Sequence, residues 1–221
     1  MRAMVLAAGK GERMRPLTLH TPKPLLPVAG KPLLQWHLEA LRAAGVSELV
    51  INHAWLGEQI ERYFEDGKRL GVNIRWSAEG EPLETGGGIR KALPLLGDAP
   101  FILVNGDVWT DLDFSSIPSS LNGNDQAMLF LVDQPGWRDK GDFKLDGNRV
   151  QESDSPDLLY AGIALYHPSI LDGAKVEKFS IVPRLKKAIQ EDRVAGRKIV
   201  GEWDDVGTPE RLSALREKHG E

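Results

Sequence analysis

Residues 6–16 read LAAGKGERMRP and mark the point where a strand gives way to a glycine turn. The apolar run Met4-Val5-Leu6 is typical of a buried strand, and the small residues and glycines that follow end it at once. Gly9 and Gly11 let backbone N–H groups approach an anion closely, and Arg13 and Arg15 can neutralise phosphate oxygens. The stretch therefore predicts an anion site at the end of a strand. By spacing alone, a tight turn with solvated arginines explains it equally well.

The sequence lacks residues that two common glycine-rich motifs require. A P-loop needs G-x-x-x-x-G-K-[ST], and no such string occurs in the chain. A dinucleotide fingerprint needs a third glycine at the position that Met14 occupies. The turn is therefore not expected to hold a dinucleotide cofactor.

Short apolar strands and helical patterns alternate outward from this turn. The predicted strands are 4–6, 49–51, 72–76 and 101–104, and helical faces are predicted within 34–41, 56–64 and 89–96, the last after a glycine run. This order predicts a three-layer α/β/α, Rossmann-like fold with a mostly parallel mixed sheet and helices on both faces.

The second half of the chain is less regular. Strands are predicted at 127–132 and 160–166, helices are predicted from the spacing within 181–189 and from the Thr208-Pro209 start, and 134–158 is predicted to be an excursion over the mouth of the site, with a turn at Asp146-Gly147. No repeat or Gly/Ser linker divides the chain, so we expect one domain over residues 1–221.

Composition limits the classes of partner. A net charge of −4 provides no basic field for a nucleic acid, and no apolar run approaches a membrane span. There is no cysteine, which excludes disulfides and thiolate chemistry, and the five scattered histidines are interpreted as structural or exposed. We expect a soluble cytoplasmic protein that binds neither nucleic acid nor membrane.

A second motif, residues 22–32, reads PKPLLPVAGKP and places Lys23 between two prolines. Flanking prolines stiffen the backbone and can aim a cation at a fixed point. Together the two motifs resemble the signature of the nucleoside-diphosphate-sugar pyrophosphorylases, the sugar-1-phosphate nucleotidyltransferases, which have a glycosyltransferase-A-like α/β fold. Glu12 departs from the pattern, in which Thr or Ser is common.

Four later motifs resemble the same family in order and spacing. They are LETGGG at 83–88, which resembles the family's base-side glycine loop, NGD at 105–107, YAGI at 160–163 and WDDVGTP at 203–209. The resemblance spans nearly the whole chain. It implies an attack by a sugar-phosphate oxygen on the α-phosphorus of an NTP, with release of pyrophosphate.

The resemblance also implies roles for individual residues. Arg15 and Lys23 are the predicted catalytic cations, and Asp107 and Asp205 are the predicted ligands of Mg²⁺, with Asp204 as a competitor that the family pattern disfavours. Predicted nucleotide contacts are Leu6, Ala7, Ala8, Gly9, Gly11, Glu79, Thr85, Gly86 and Gly87. Predicted sugar contacts are Asn105, Gly106, Gly141, Glu152 and Tyr160.

The LETGGG motif and the compact length of the chain suggest which base and which sugar the protein uses. These two features most resemble the uridylyltransferases that use UTP and N-acetylmuramate 1-phosphate in cell-wall recycling, and mannose-1-phosphate guanylyltransferases are the alternative. Muramate carries a lactyl carboxylate, for which Arg138, Lys140 or Arg149 could supply the cation.

Two further expectations concern activity and assembly. Regulatory subunits of this fold bind nucleotide sugars without turnover, but the chain keeps the predicted cations and metal ligands, which favours an enzyme. No hexapeptide repeat of a β-helix domain follows the last motif, so a monomer is expected.

Overall fold

Residues 1–220 are described by a computed structural model in which strands and helices alternate through the first half. The strands are β1 Arg2–Ala7, β2 Pro27–Val28, β3 Lys31–Pro32, β4 Glu48–His53, β5 Asn73–Ala78, β6 Phe101–Asn105, β7 Val108–Thr110, β8 Ala127–Asp133, β9 Lys144–Asp146, β10 Arg149–Gln151, β11 Leu158–Tyr166, β12 Val194–Lys198 and β13 Trp203–Asp205. The α-helices are α1 Leu33–Ala43, α2 Gly57–Phe64, α3 Glu84–Leu96, α4 Val182–Gln190 and α5 Pro209–Lys218.

Nine strands form one continuous sheet in the order β5-β4-β1-β6-β11-β8-β12-β10-β9. Only β11 and β10 run against the other seven strands. The predicted mixed, mostly parallel α/β sheet is therefore confirmed. The carboxyl ends of β5, β4, β1 and β6 lie side by side, which is where open α/β sheets bind ligands.

Helices cover both faces of the sheet. Alternate residues of β1 show why, because Ala3 and Val5 join the core beneath α1 and α2, whereas Met4 joins the core beneath α3 and α4. All three side chains are fully buried. The predicted three-layer architecture is confirmed, and it fixes β1 as a central strand from which the glycine turn emerges.

The prediction of a loop at 84–88 with a helix after the glycines is wrong, because α3 begins two residues before the first glycine. Each glycine costs about 1 kcal/mol relative to alanine in a helix interior, so propensity argues against this start. Close packing decides otherwise. A Cβ on Gly86 would lie 2.4 Å from the Phe179 ring, and one on Gly87 would lie 2.1 Å from the Glu177 carbonyl oxygen.

The excursion at 134–158 contains the predicted hairpin, with Gly147 at a φ of 57° in its turn. The excursion was expected to lie over the mouth of the site, but its two strands, β9 and β10, extend the far edge of the sheet. Only the preceding loop approaches the chemistry. In it, Trp137 lies under the guanidinium of Arg211, 3.9 Å from the ring centroid.

The last helix begins as predicted, with Thr208 as its N-cap accepting from the Arg211 amide and with proline in the first turn. Just before it, β13 pairs antiparallel with β7 in a separate two-stranded ribbon. Across the described chain, no helix has both the length and the apolar character needed to cross a bilayer.

Candidate active site

A cleft of about 730 Å³ opens at the carboxyl ends of the central parallel strands. Most of the residues predicted from sequence line it, namely Leu6, Ala7, Ala8, Gly9, Gly11, Lys23, Glu79, Thr85, Asn105, Gly106 and Asp107. The other predicted residues, Arg15, Gly86, Gly87, Gly141, Glu152, Tyr160 and Asp205, lie outside the lining. Four separate stretches of chain, 6–11, 23, 79–85 and 105–107, therefore meet at one cleft.

The glycine turn is braced by Thr18. Gly11 has a φ of 62°, and a Cβ there would lie 2.9 Å from the Thr18 methyl group, so glycine is required. The Thr18 hydroxyl donates to the Gly11 carbonyl oxygen at 2.6 Å. Within residues 1–220, neither Arg13 nor Arg15 forms an ion pair, and only Arg13 lines the cleft. The turn thus presents unpaired positive charge.

Lys23 faces Asp107 across the cleft. Its Nζ lies 2.9 Å from Asp107 Oδ2, and only 12% of the lysine side chain is exposed. Pro22 holds an extended backbone ahead of it, and a short 3₁₀ turn with Pro24 follows. The prolines therefore place the ammonium at a fixed point, and Asp107 holds it there.

Asp205 is brought beside Asp107 by the β7–β13 ribbon. The Val206 amide donates to the Asp107 carbonyl oxygen at 2.9 Å. Oδ1 of Asp205 lies 3.3 Å from Nη2 of Arg211, but it is buried and accepts no hydrogen bond. Gly207, two residues after Asp205, lines the cleft. Two aspartates almost a hundred residues apart thus share one corner of the site.

Asp204, the competing aspartate, sits one place back on β13, opposite Trp109. Its Oδ1 is 3.7 Å from Nη1 of Arg211. Burial raises the pKa of the Asp204 carboxyl, and the nearby Arg211 opposes that rise. Both Asp204 and Asp205 therefore contact the same guanidinium, that of Arg211.

His37 lies behind the Asp107 turn. It is buried on α1, and burial lowers the pKa of its imidazole to about 4, against smaller opposing effects of a hydrogen bond with the Val108 backbone and of the Asp107 charge. Neutral at ordinary pH, His37 supports the turn from within the core, in agreement with a structural role.

Asn52 organises the other side of the cleft and was missed from sequence. Its Oδ1 accepts from the Ala7 amide at 2.9 Å, and its Nδ2 donates to Glu79 Oε1 at 2.6 Å. Glu79 Oε2 accepts from the Leu83 amide at 2.8 Å, at the start of α3. A polar residue directly after the buried run 49–51 was the available signal.

The third glycine of α3 makes room for this network. A Cβ on Gly88 would lie 2.6 Å from Glu79 Oε1 and 2.9 Å from Asn52 Nδ2. Glu79 is therefore held at a set position in the cleft, with carboxylate lone pairs left for a donor on a ligand.

Three of the five predicted sugar contacts, Gly141, Glu152 and Tyr160, lie outside the cleft lining. Gly141 packs against the backbone of Leu158, where a Cβ would lie 2.8 Å from the carbonyl oxygen. Glu152 accepts contacts at 2.9 Å from Lys186 and from Gln190, both of which lie on α4. Burial raises the pKa of the Tyr160 phenol well above its usual value. Their assignment to the sugar stays a prediction.

The three cations considered for a carboxylate are also placed. Arg149 is held by Asp125 and Asp192, at 2.9 and 2.8 Å, on β10 near the far edge of the sheet. Arg138 and Lys140 are exposed on the loop before the hairpin and lie outside the cleft lining. Arg149 is therefore already neutralised, and none of the three lines the cleft.

The charges that line the cleft nearly balance. The cations are Lys10, Arg13, Lys23 and Lys178, and the carboxylates are Glu12, Glu79, Glu81, Glu84 and Asp107. Across the described part of the chain, no three His, Cys, Asp or Glu side chains gather as a cage for a metal. The protein by itself thus provides no excess positive charge for a polyphosphate.

Comparisons with known proteins agree with this geometry. The nucleotidyl transferase family model matches residues 2–220. The N-acetylmuramate alpha-1-phosphate uridylyltransferase of Neisseria meningitidis is 50% identical over 96% of this chain and 95% of its own. A mannose-1-phosphate guanyltransferase of Gibberella zeae is 32% identical over 95% of this chain and 61% of its own.

One solved structure shows the likeness of fold. A Bacillus anthracis protein in complex with a sucrose has a TM-score of 0.86 and covers 99% of this chain and 95% of that chain, at 17% identity. The family predicted from these ordered motifs is confirmed by the family model over residues 2–220 and by the Neisseria relative. The chain belongs to the nucleotidyl transferase family.

Proposed function

We propose that this protein transfers UMP from UTP to N-acetylmuramate α-1-phosphate and releases pyrophosphate. The observation that carries the proposal is the Lys23–Asp107 pair, held at 2.9 Å in the cleft that the glycine turn also lines. The 50% identity with the Neisseria enzyme over nearly both chains supports the choice of base and sugar.

The chemistry needs positioning and charge neutralisation rather than a base. An oxygen of the sugar phosphate, already an anion, bonds to the α-phosphorus of UTP. The bond from that phosphorus to the α–β bridging oxygen breaks, and its electron pair leaves with pyrophosphate. Such transfers are catalysed by fixed cations and oriented donors. Lys23 neutralises the phosphates in the cleft, and the amides of Gly9 and Gly11 bind them. Arg15 is assigned the same role on the family resemblance alone, since it lies outside the cleft lining.

Base recognition is assigned to Glu79. A carboxylate only accepts hydrogen bonds, so its partner must present an N–H donor. Uracil offers its imide N–H, whereas cytosine has an acceptor at that position. Guanine also offers N–H donors, so mannose-1-phosphate guanylyl transfer is the second candidate, favoured by the Gibberella relative.

Asp107 and Asp205 would hold Mg²⁺. They fit the ion because they are hard oxygen donors from adjacent backbone, and because Asp205 Oδ1 is buried without a hydrogen bond. Mg²⁺ usually takes one or two carboxylates and completes its shell with water and substrate phosphates. When bound, the ion would supply the positive charge that the balanced cleft lacks. Lys23 orients the reacting phosphates, and Asp107 holds the Lys23 ammonium in place.

The function is tested by a screen of sugar 1-phosphates against UTP and GTP, with pyrophosphate release as the readout. Highest kcat/KM is expected for UTP with N-acetylmuramate 1-phosphate. A clear preference for GTP with mannose 1-phosphate would replace this assignment by the second candidate. Absence of pyrophosphate release with every pair would favour a regulatory nucleotide-sugar-binding role.

The metal is tested separately. EDTA should abolish turnover, and added Mg²⁺ should restore it. Asp205→Asn should lose most activity, whereas Asp204→Asn should keep it if the protein stays folded. Equal activity of Asp205→Asn and the wild type would remove Asp205 as a ligand.

The setting of the reaction follows from its substrates. UTP and an amino-sugar phosphate derived from cell-wall material meet in the cytoplasm, so we place the reaction there, in peptidoglycan recycling. We further propose that the protein acts as a monomer, because each residue assigned to the reaction comes from one chain. Gel filtration at working concentration checks the oligomeric state.

A further inference from the structure

Four cations line the cleft, and three of them lie within the first 23 residues. Lys10 is 3.4 Å from Glu81, Arg13 has no acidic partner within residues 1–220, and Lys23 is 2.9 Å from Asp107. The fourth is Lys178, which lies in the segment ahead of α4. The sequence motifs gave it no role, and the mechanism above does not use it.

The backbone around Lys178 is fixed to the first turns of α3. The Phe179 amide donates to the Leu83 carbonyl oxygen at 3.1 Å, and the Gly87 amide donates to the Phe179 carbonyl oxygen at 3.1 Å. The missing Cβ of Gly87 is what allows the Glu177 carbonyl oxygen to come so near. Residues 177–179, here called the docked segment, are therefore clamped to the helix.

The clamp explains two of the three glycines that stand in α3 against its propensity. Gly86 leaves space for the ring of Phe179, and Gly87 leaves space for the backbone at Glu177. The two glycines lower the helix propensity of α3, but they allow residues 177–179 to pack closely against it. This packing fixes the backbone of Lys178 at the cleft.

The ammonium of Lys178 remains available. Its nearest acidic partner is Glu84, at 3.9 Å, and 66% of the lysine side chain is exposed. An exposed pair at this separation contributes little, because solvent screens both charges. Lys23 differs, because its short contact with Asp107 is largely buried. An incoming anion can therefore displace Glu84 from Lys178.

We propose that Lys178 binds an anionic oxygen group of the sugar substrate, either its phosphate or the carboxylate of its lactyl ether. This assignment rests on the proposed function. Lys178 is anchored on α3, whereas Lys23 is paired with Asp107, so the two ammonium groups are held by different parts of the fold. Arg149 is neutralised elsewhere, and Arg138 and Lys140 lie outside the lining.

The test compares Lys178→Met, Lys178→Arg and wild type. Methionine keeps length and removes charge, and arginine restores charge. The dissociation constants of N-acetylmuramate 1-phosphate and N-acetylglucosamine 1-phosphate are measured by calorimetry, in the presence of a non-reactive UTP analogue. We expect Lys178→Met to raise the dissociation constant of N-acetylmuramate 1-phosphate about tenfold or more. The dissociation constant of Lys178→Arg should be close to that of the wild type.

The second sugar identifies the group. If Lys178→Met weakens the binding of N-acetylmuramate 1-phosphate alone, Lys178 binds the carboxylate, since N-acetylglucosamine 1-phosphate lacks the lactyl ether. If the binding of both sugars weakens equally, Lys178 binds the phosphate. Unchanged affinity of Lys178→Met for both sugars overturns the proposal.

Two controls separate this result from other failures. Lys175→Met alters an exposed lysine nearby that lies outside the cleft lining, and it should leave both affinities unchanged. A wild-type protein that neither binds nor turns over N-acetylmuramate 1-phosphate would refute the proposed function instead. The Lys178 comparison would then be repeated with the sugar phosphate that the screen identifies, and unchanged affinity would again overturn it.

Discussion

The phosphate end of the cleft, made of residues 9–13 with Lys23 and Asp107, differs in construction from the base end, made of Asn52, Glu79 and the start of α3. At the phosphate end, charged side chains project from turns and are half-buried or exposed. At the base end, a buried amide links two strands and a helix through directional hydrogen bonds.

The difference teaches what each end can tolerate. Charge acts over several ångströms, so the phosphate end needs cations in place but little close packing. Hydrogen bonds weaken steeply with geometry, so the base end depends on every partner staying where it is. Substitutions at the phosphate end should therefore lower the rate, and those at the base end should change affinity, selectivity and stability.

The largest effect is expected for Lys23→Ala. Removing one fixed charge contact in such a site lowers turnover by about 10²–10³. The melting temperature should change little, because the other half of the ion pair, Asp107, is partly exposed. Steady-state kcat with thermal denaturation checks both parts.

Lys68→Ala is the matched control for this variant. Lys68 also pairs with an aspartate, Asp66, but it lies outside the cleft. Wild-type turnover is expected for it. Near wild-type turnover of Lys23→Ala would show that the phosphate end does not depend on this charge.

A pH effect on stability is expected from His37. Its folded pKa of about 4 lies below the ordinary 6.5, so between these values the unfolded chain binds the additional proton. Stability therefore falls as the pH falls from 6.5 to 4, by about 1.4 kcal/mol per pH unit at most from this group. Urea unfolding of wild type and His37→Gln across this range measures it. Parallel curves for the two proteins would contradict the assignment.

Gly87→Ala distinguishes helix propensity from docking at the base end. Alanine in a helix interior normally stabilises by about 0.5–1 kcal/mol over glycine. Here its Cβ would overlap the Glu177 carbonyl oxygen at 2.1 Å, so we expect a loss of about 1–3 kcal/mol. Gly136→Ala, with nothing within 4 Å of its Cβ, should show no such loss. A stabilised Gly87→Ala would refute the close docking of 177–179.

The smallest effect is expected for Asn52→Asp. The new carboxylate still accepts from the Ala7 amide but repels Glu79 instead of donating to it. We expect KM for UTP to rise about tenfold, with a smaller change in kcat. Asn73→Asp places a carboxylate beside the exposed Glu48 in the same way and should leave KM unchanged. Equal KM values for all three proteins would remove Asn52 from base positioning.

Most of the phosphate end was predictable because its residues are consecutive in the chain. Residues 6–16 and 22–32 carry the glycines, the arginines and the proline-flanked Lys23 as spelled motifs. Alternating apolar runs also predicted the parallel half of the sheet. Local patterns of this kind reflect backbone conformation and burial, which neighbouring residues decide.

Local pattern failed where tertiary contacts outweigh local preference. The glycines of α3 were predicted to form a loop, since no local signal announces a segment ninety residues later that needs their missing side chains. The turn of the hairpin at 144–151 was predicted correctly from sequence. Its position in the fold was not, because that position depends on pairing with β12.

The sequence alone determined the class of fold, the glycine turn and the cations and aspartates available for phosphate chemistry, because each is written in neighbouring residues. Only the tertiary structure decided that Asp205 stands beside Asp107, that Asn52 holds Glu79 and that Lys178 enters the cleft. These pairs are far apart in the chain, and it is sheet order and close packing that bring them within contact distance.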